Sequence, residues 1–396
     1  MSDDGGVALS GLRKVSAGDA TVLTRPDHRF LMNDMVIAPE KCNFACDYCI
    51  FTAAPSWAGG ADIGRVEGTA PVATVYNKTA DNVTLFEKVR SRLDTMSRVF
   101  RNPILRICGG ELLYFKNALD LIESVHTEFE RIQVITNGYF LDPAAARRLQ
   151  ALENLSLHIS LDNHTAELNR QRVRNPRVHD RLVTSVHRCM DAGISLELAV
   201  CLTTVSIEGF RAMVDYFAAQ PGRVLLLPFP VRGEGARDYI PTEKQVYDLA
   251  DSLRDVSDAG RRVLPPSAYM ERLLDFMSHG IRVARCRIPG SIVQTFADGN
   301  VASCCMDWSC HLGRINTAEE AAKTVRTMVT HPAYRLYFAE PPRMPACHDC
   351  FTVSEILNLY FDGAISDAEM RTMDLYSGAE SMRVLQGLRA AFGGTR

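Results

Sequence analysis

The chain has 396 residues, 46% of them apolar and 23% charged, enough to bury one full core with a smaller unit attached. A net charge of −3 without a basic stripe speaks against a partner gripped through nucleic-acid phosphates, and no run of 18 apolar residues is present to span a membrane. Twelve cysteines, with no apolar signal segment in the first 30 residues, fit a cytoplasmic protein that uses thiols as metal ligands rather than disulfides.

Residues 1–30 mix acids, glycines and scattered polar residues and read as a loose tail. From 31 to 238 short apolar runs alternate with helical periodicity. The strand candidates are Met35–Ala38, Ile104–Cys108, Ile132–Thr136, Leu155–Leu161, Leu196–Leu202 and Val224–Phe229, each flanked by Gly, Pro, Asn or Asp. Between them, 83–99 places apolar residues at three-and-four spacing, and 117–129, 143–152, 178–192 and 206–219 behave alike. Six such alternations predict parallel strands with right-handed crossovers, an α/β fold of open-sheet or partial-barrel type. In either form the chemistry belongs at the carboxyl ends of the strands.

Residues 239–285 read as a helical connector holding two helices and Pro265-Pro266. Ile292–Phe296 and Val301–Cys304 flank Ala297-Asp298-Gly299-Asn300 as a β-hairpin. Residues 317–337 are helical, 341–350 are rich in Pro and Cys, and 353–396 form a helical tail. The expected division is thus a barrel over 31–238, the connector, a cysteine-bearing unit over 286–352, and the tail.

The cysteines cluster. Three lie within 42–49 and six within 286–350, leaving Cys108, Cys189 and Cys201 elsewhere. Cys42, Cys46 and Cys49 directly follow the first strand in the spacing C-x3-C-x2-C. An iron–sulfur cube takes one thiolate per iron, so three cysteines leave one iron open. The plainer alternative is a zinc knuckle that draws its fourth ligand from elsewhere.

With aromatic Tyr48 before its last cysteine, this loop resembles the signature of the radical S-adenosylmethionine superfamily. Gly109-Gly110-Glu111 after the second strand resembles the family's GGE motif, although Leu112 stands where a proline is usual and Cys108 where a small residue is usual. Thr136-Asn137-Gly138 resembles its TNG. Ser160-Leu161-Asp162 resembles its SLDG, with Asn163 for the last glycine, and Arg172 matches an arginine that in relatives meets the methionine carboxylate. The resemblance implies a partial (β/α)6 barrel with a [4Fe–4S] cluster on Cys42, Cys46 and Cys49. It further implies S-adenosylmethionine held near Tyr48, Gly109, Gly110, Glu111, Asn137, Ser160, Asp162 and Arg172, and a low-potential electron donor of flavodoxin or ferredoxin type.

Cys286, then Gly299 and Cys304, resemble the opening of the SPASM-type auxiliary-cluster domain, and Cys347 with Cys350 would supply the next pair. No cysteine follows Cys350, which favours the shortened, twitch-type version with one auxiliary [4Fe–4S] cluster on Cys286, Cys304, Cys347 and Cys350. A zinc ribbon is the alternative for this unit. Cys305 and Cys310 are left over. They either pack beneath the hairpin, or one replaces Cys304 as ligand, or one serves as a catalytic thiol that donates a hydrogen atom.

The family divides between peptide maturation and small natural products such as sugars and aminocyclitols. No periodic leader-binding segment precedes Cys42, which tilts the expectation toward a small substrate that is dehydrogenated or epimerised. Maturation of a ribosomal peptide is the alternative.

Overall fold

The computed structural model describes residues 28–38, 41–49, 82–232, 234–304 and 306–393. The expected N-terminal tail, residues 1–30, falls almost wholly outside these residues, and so does Cys305. Among the described residues nine strands form one sheet. Six run parallel in sequence order: β1 (Met32–Ile37), β2 (Ile104–Gly109), β3 (Arg131–Thr136), β4 (Leu155–Ser160), β5 (Ser195–Leu202) and β6 (Val224–Pro230). This is the α/β partial barrel expected from the alternation. The sheet does not close, because β6 forms one edge and the other edge lies in the C-terminal part.

The continuation past β1 was not legible in the sequence. β7 (Ile292–Phe296) lies parallel to β1, with Met32 opposite Ile292, and β8 (Asn300–Cys304) and β9 (Asp307–Arg314) extend the sheet antiparallel. The hairpin predicted around Gly299 is therefore part of the main sheet. β9 went unpredicted because its residues do not alternate cleanly and two register shifts interrupt its pairing with β8.

Helix starts follow local chemistry. Asp142 accepts from the N–H groups of Ala144 and Ala145 ahead of Pro143, and Asn175 accepts from Arg177 N–H ahead of Pro176. Each pairing satisfies donors that a first turn leaves orphaned, with proline in the position where its missing N–H costs nothing. The helix Ala379–Gly393 is capped from a distance, since the Glu130 carboxylate takes Glu380 N–H at 2.8 Å and Ser381 N–H at 2.7 Å. A carboxylate at a helix N-terminus also meets the positive end of the helix dipole, so this contact docks the C-terminal helix onto the barrel. No helix among the described residues is long and apolar enough to cross a membrane.

The concave face of the sheet carries a buried polar layer. Asp34 and Arg106, on adjacent strands, form a two-pronged ion pair at 2.9 and 2.7 Å. Gln133 on β3 reaches Glu197 on β5 at 2.8 Å, across the intervening β4, and His158 of β4 meets the same carboxylate at 3.0 Å. Strands two apart lie roughly 9–10 Å from each other, so such a contact requires the sheet to curl toward that face. Farther along the same face Cys108, Ser160 and Phe229 are only half-buried, whereas the alternate residues Ile107, Ile159 and Leu226 are covered by helices. The lumen thus opens at the carboxyl ends of the strands, above a polar floor.

Candidate active site at the strand ends

The cysteine loop is tied to the barrel from several sides. Lys41 O accepts from Glu111 N–H at 2.8 Å, and Asp47 N–H donates to Gln171 O at 2.9 Å. Asn137 Nδ2 bridges Asn43 Oδ1 at 2.8 Å and Cys42 Sγ at 3.8 Å. Cys42, Cys46 and Cys49 are all partly exposed. Burial pushes the Cys46 thiol up to about 12, opposed by the Arg172 charge, and burial raises Cys42 as well. A positive iron would reverse that balance and hold the sulfurs as thiolates.

Gly109 ends β2 against β1. A Cβ there would lie 1.9 Å from Ile37 O, so only glycine lets the two strands run together into the loop. Gly109→Ala is expected to cost about 2–4 kcal/mol. The readout is a lower unfolding midpoint together with lost iron retention, while alanine at the open Gly387 leaves both unchanged. Gly138 sits at φ +79°, which turns the chain back under Asn137.

Glu111 is 1% exposed, and its carboxylate accepts from Leu113 N–H at 3.0 Å, Thr136 Oγ1 at 2.7 Å and Asn137 N–H at 2.6 Å. A carboxylate offers about four acceptor positions, so one on Oε2 is left for a ligand. Burial raises the Glu111 pKa, offset by those three donors.

Tyr48, Asp162 and Arg172 bind one another. The Tyr48 hydroxyl donates to Asp162 Oδ2, and Arg172 reaches Asp162 Oδ1 through Nε at 3.0 Å and Nη2 at 2.9 Å. Cys201 N–H donates to the same Oδ1 at 3.1 Å, and the Arg172 guanidinium lies 5.5 Å from the Tyr48 ring centroid. The sequence expectation gave these three residues directly to the cofactor. The structure engages Asp162 with protein donors on both oxygens, because the ionised side chains are buried together and neutralise each other. Arg172 is held well above its usual pKa by Asp162 despite its burial. Ser160 stands half-buried at the end of β4, beside this group.

Cys286, Cys347 and Cys350 lie within electrostatic range of one another, Asp307 of β9 lies near Cys347, and Cys304 ends β8. Cys286, Cys304 and Cys347 are buried and Cys350 is partly exposed. Burial raises the Cys347 thiol, and the neighbouring Cys286 and Cys350 sulfurs and Asp307 raise it further, against Arg282. Burial pushes Cys286 up to about 11, with Arg282 opposing. Asn358 Nδ2 lies 3.8 Å from Cys286 Sγ, and Met306 N–H lies 3.4 Å from Cys304 Sγ. Cys310 lies apart from this group, 1% exposed and 3.6 Å from His331 Nδ1.

Among the described residues, no three His, Cys, Asp or Glu side chains converge on a point that could hold a single metal ion. A tetrahedral zinc with bonds of about 2.3 Å draws its sulfurs to about 3.8 Å from one another. A cube gives each thiolate its own iron and takes a wider set. Both cysteine groups suit an iron–sulfur cluster by donor type.

Residues 36–217 match the family model described as the Radical SAM superfamily. Mycofactocin maturase MftC of Mycobacterium tuberculosis is 24% identical over 232 residues, 58% of this chain and 52% of that protein. The chain spans about half the length of the curated relatives it matches. Native anSMEcpe with bound AdoMet superposes with a TM-score of 0.53 at 15% identity, covering 92% of this chain and 100% of that one. Streptococcus suis SuiB bound to precursor peptide SuiA gives a TM-score of 0.53 at 12% identity over 78% of this chain and 66% of that one. At these identities the structural likeness is one of fold.

Proposed function

Residues 36–217 make this chain a member of the radical SAM superfamily, and we propose that it generates a substrate radical at the open end of its barrel to mature a natural product. Cys42, Cys46 and Cys49 would hold the [4Fe–4S] cluster, which would supply the electron for reductive cleavage of S-adenosylmethionine to methionine and a hydrogen-abstracting 5′-deoxyadenosyl radical. The observation that carries this reading is the three-cysteine loop seated on the GGE strand end, with one acceptor position of Glu111 still free.

The chain's own residues do the positioning. Glu111 offers its remaining lone pair to the methionine ammonium, while Thr136, Asn137 and Leu113 hold the carboxylate ionised and oriented. Asn137 links that carboxylate to the cysteine loop. Asp162 braces Arg172 and Tyr48 against the barrel wall, so that Arg172 keeps a positive charge beside Cys46 and is available to the methionine carboxylate. Cys286, Cys304, Cys347 and Cys350 form a separate auxiliary [4Fe–4S] site.

Two substrate classes follow from different observations. The relatives favour a peptide, since one is a maturase and one neighbour was solved with a precursor peptide. The sequence reading favours a sugar or aminocyclitol, a class to which the buried, mutually paired side chains of the lumen floor offer no free group. Deuterium transfer decides between them. The reduced enzyme is given peptides or aminocyclitols deuterated at candidate carbons, and mass spectrometry follows label into 5′-deoxyadenosine. Label from the peptide supports the first reading, and label only from the cyclitol supports the second. Turnover with label from neither overturns the proposed substrate classes.

Glu111→Gln removes the charge that meets the ammonium. It is expected to weaken S-adenosylmethionine binding roughly 10- to 100-fold. Because burial raises the Glu111 pKa, affinity in the parent enzyme should start to fall, as pH is lowered, at a higher pH than an ordinary carboxylate would give. In Glu111→Gln that acid limb disappears. Equilibrium binding to the oxidised, cluster-loaded protein across pH checks both.

A further inference from the structure

We infer that Arg232 sets the reduction potential of the auxiliary cluster, an assignment that rests on the proposed Cys286, Cys304, Cys347 and Cys350 site. Arg232 lies two residues past the end of β6, at the rim of the barrel where Tyr48, Cys201 and Val231 pack together. Its guanidinium crosses from that rim to the second cysteine group. Nη1 lies 3.6 Å from Cys350 Sγ, and Nη2 lies 2.9 Å from Met306 Sδ. Met306 N–H in turn faces Cys304 Sγ at 3.4 Å. A single planar cation thus touches one ligand position directly and another through one intervening residue.

The same charge is felt at Cys201, which also lies within electrostatic range of Cys46. The other cation of the auxiliary site, Arg282, is bound to the buried Glu355 carboxylate, which offsets its charge. Arg232 directs its donors at sulfur instead.

Adding one electron to a cube with four thiolates increases an already negative charge. Hydrogen bonds to the sulfurs and a nearby cation stabilise that reduced form and raise the potential. The planar fork of arginine can address two sulfurs at once, which the point charge of lysine cannot. In this position Arg232 favours reduction of the auxiliary cluster. It is a tuning residue, not a catalytic one.

The test uses the full chain carrying Cys42→Ala, Cys46→Ala and Cys49→Ala, so that only the auxiliary cluster remains. After anaerobic reconstitution, its midpoint is read by electron paramagnetic resonance during a titration with a chemical reductant. Arg232→Gln is expected to lower the equilibrium constant for reduction about tenfold, a negative shift of about 59 mV for one electron. Arg232→Lys should fall between parent and Gln. Arg237→Gln removes an exposed charge from the same cleft and should shift the midpoint by less than a third as much, because solvent screens it.

An unchanged midpoint in Arg232→Gln, with iron content retained, overturns the inference. Should Arg232→Gln lose its iron, Arg232→Lys carries the test, and a midpoint equal to the parent's overturns it. If the parent triple variant binds no cluster, the auxiliary site itself is wrong, and the inference falls with it.

Discussion

Replacing Cys46 with alanine is expected to abolish reductive cleavage of S-adenosylmethionine, by more than about 10³-fold, because a cofactor unit fails when one of its members is removed. Cys46 lies within range of the Arg172 charge, and its sulfur shares its surroundings with Cys42 and Cys49. Loss of one of three ligands leaves only two protein thiolates for four irons. Iron content should drop by about four per chain while the auxiliary site keeps its own, giving about half the parent's iron and charge-transfer absorbance. Cys310→Ala, by contrast, removes a thiol packed against His331 and should leave 5′-deoxyadenosine formation near the parent level. Liquid chromatography of the nucleoside, with parallel iron analysis, separates the two outcomes. Equal activity in Cys46→Ala and the parent would remove the loop from the chemistry.

Asp162→Leu is expected to be nearly as damaging, by a different route. It leaves Arg172 buried with its charge uncompensated, strips the Tyr48 hydroxyl of its acceptor, and orphans Cys201 N–H. Breaking a buried ion pair from one side typically costs about 3–5 kcal/mol. Asp162→Asn keeps an acceptor for Tyr48 but loses the charge and should fall between. Thermal unfolding of the apo chain reads the stability cost without any cluster. Iron retention then reads whether the loop still closes on the barrel. A Leu variant as stable as the parent would show that Arg172 reaches water or another partner.

Much of the fold was legible because its pattern is repetitive. Each parallel strand is a short apolar run between helices, and the predicted strands overlap the observed ones within about three residues. The join of β1 to β7 had no such signal. Their pairing links Met32 to Ile292 through register alone, and nothing local in either strand names its partner. The site was legible where chemistry restricts residue type. Cysteine spacing marks the loop, and glycine is required at 109 because a Cβ there would lie 1.9 Å from Ile37 O. The mutual engagement of Tyr48, Asp162 and Arg172 was not legible. Tyr48 and Asp162 are 114 positions apart, and each matched a family motif separately, so the sequence placed them near the cofactor without showing that they also bind each other. Arg232 was missed altogether. It is one more arginine after a strand, and only the approach of Cys350 in space singles it out.

The central claim is that Cys42, Cys46 and Cys49 hold a cluster whose open iron serves S-adenosylmethionine. Anaerobic reconstitution with iron and sulfide, followed by addition of S-adenosylmethionine with and without a low-potential reductant, tests it most directly. The account predicts about eight irons per chain, broad absorbance near about 400 nm, and 5′-deoxyadenosine formed only when reductant is present. Stoichiometric zinc in place of iron, with S-adenosylmethionine recovered intact, would contradict it.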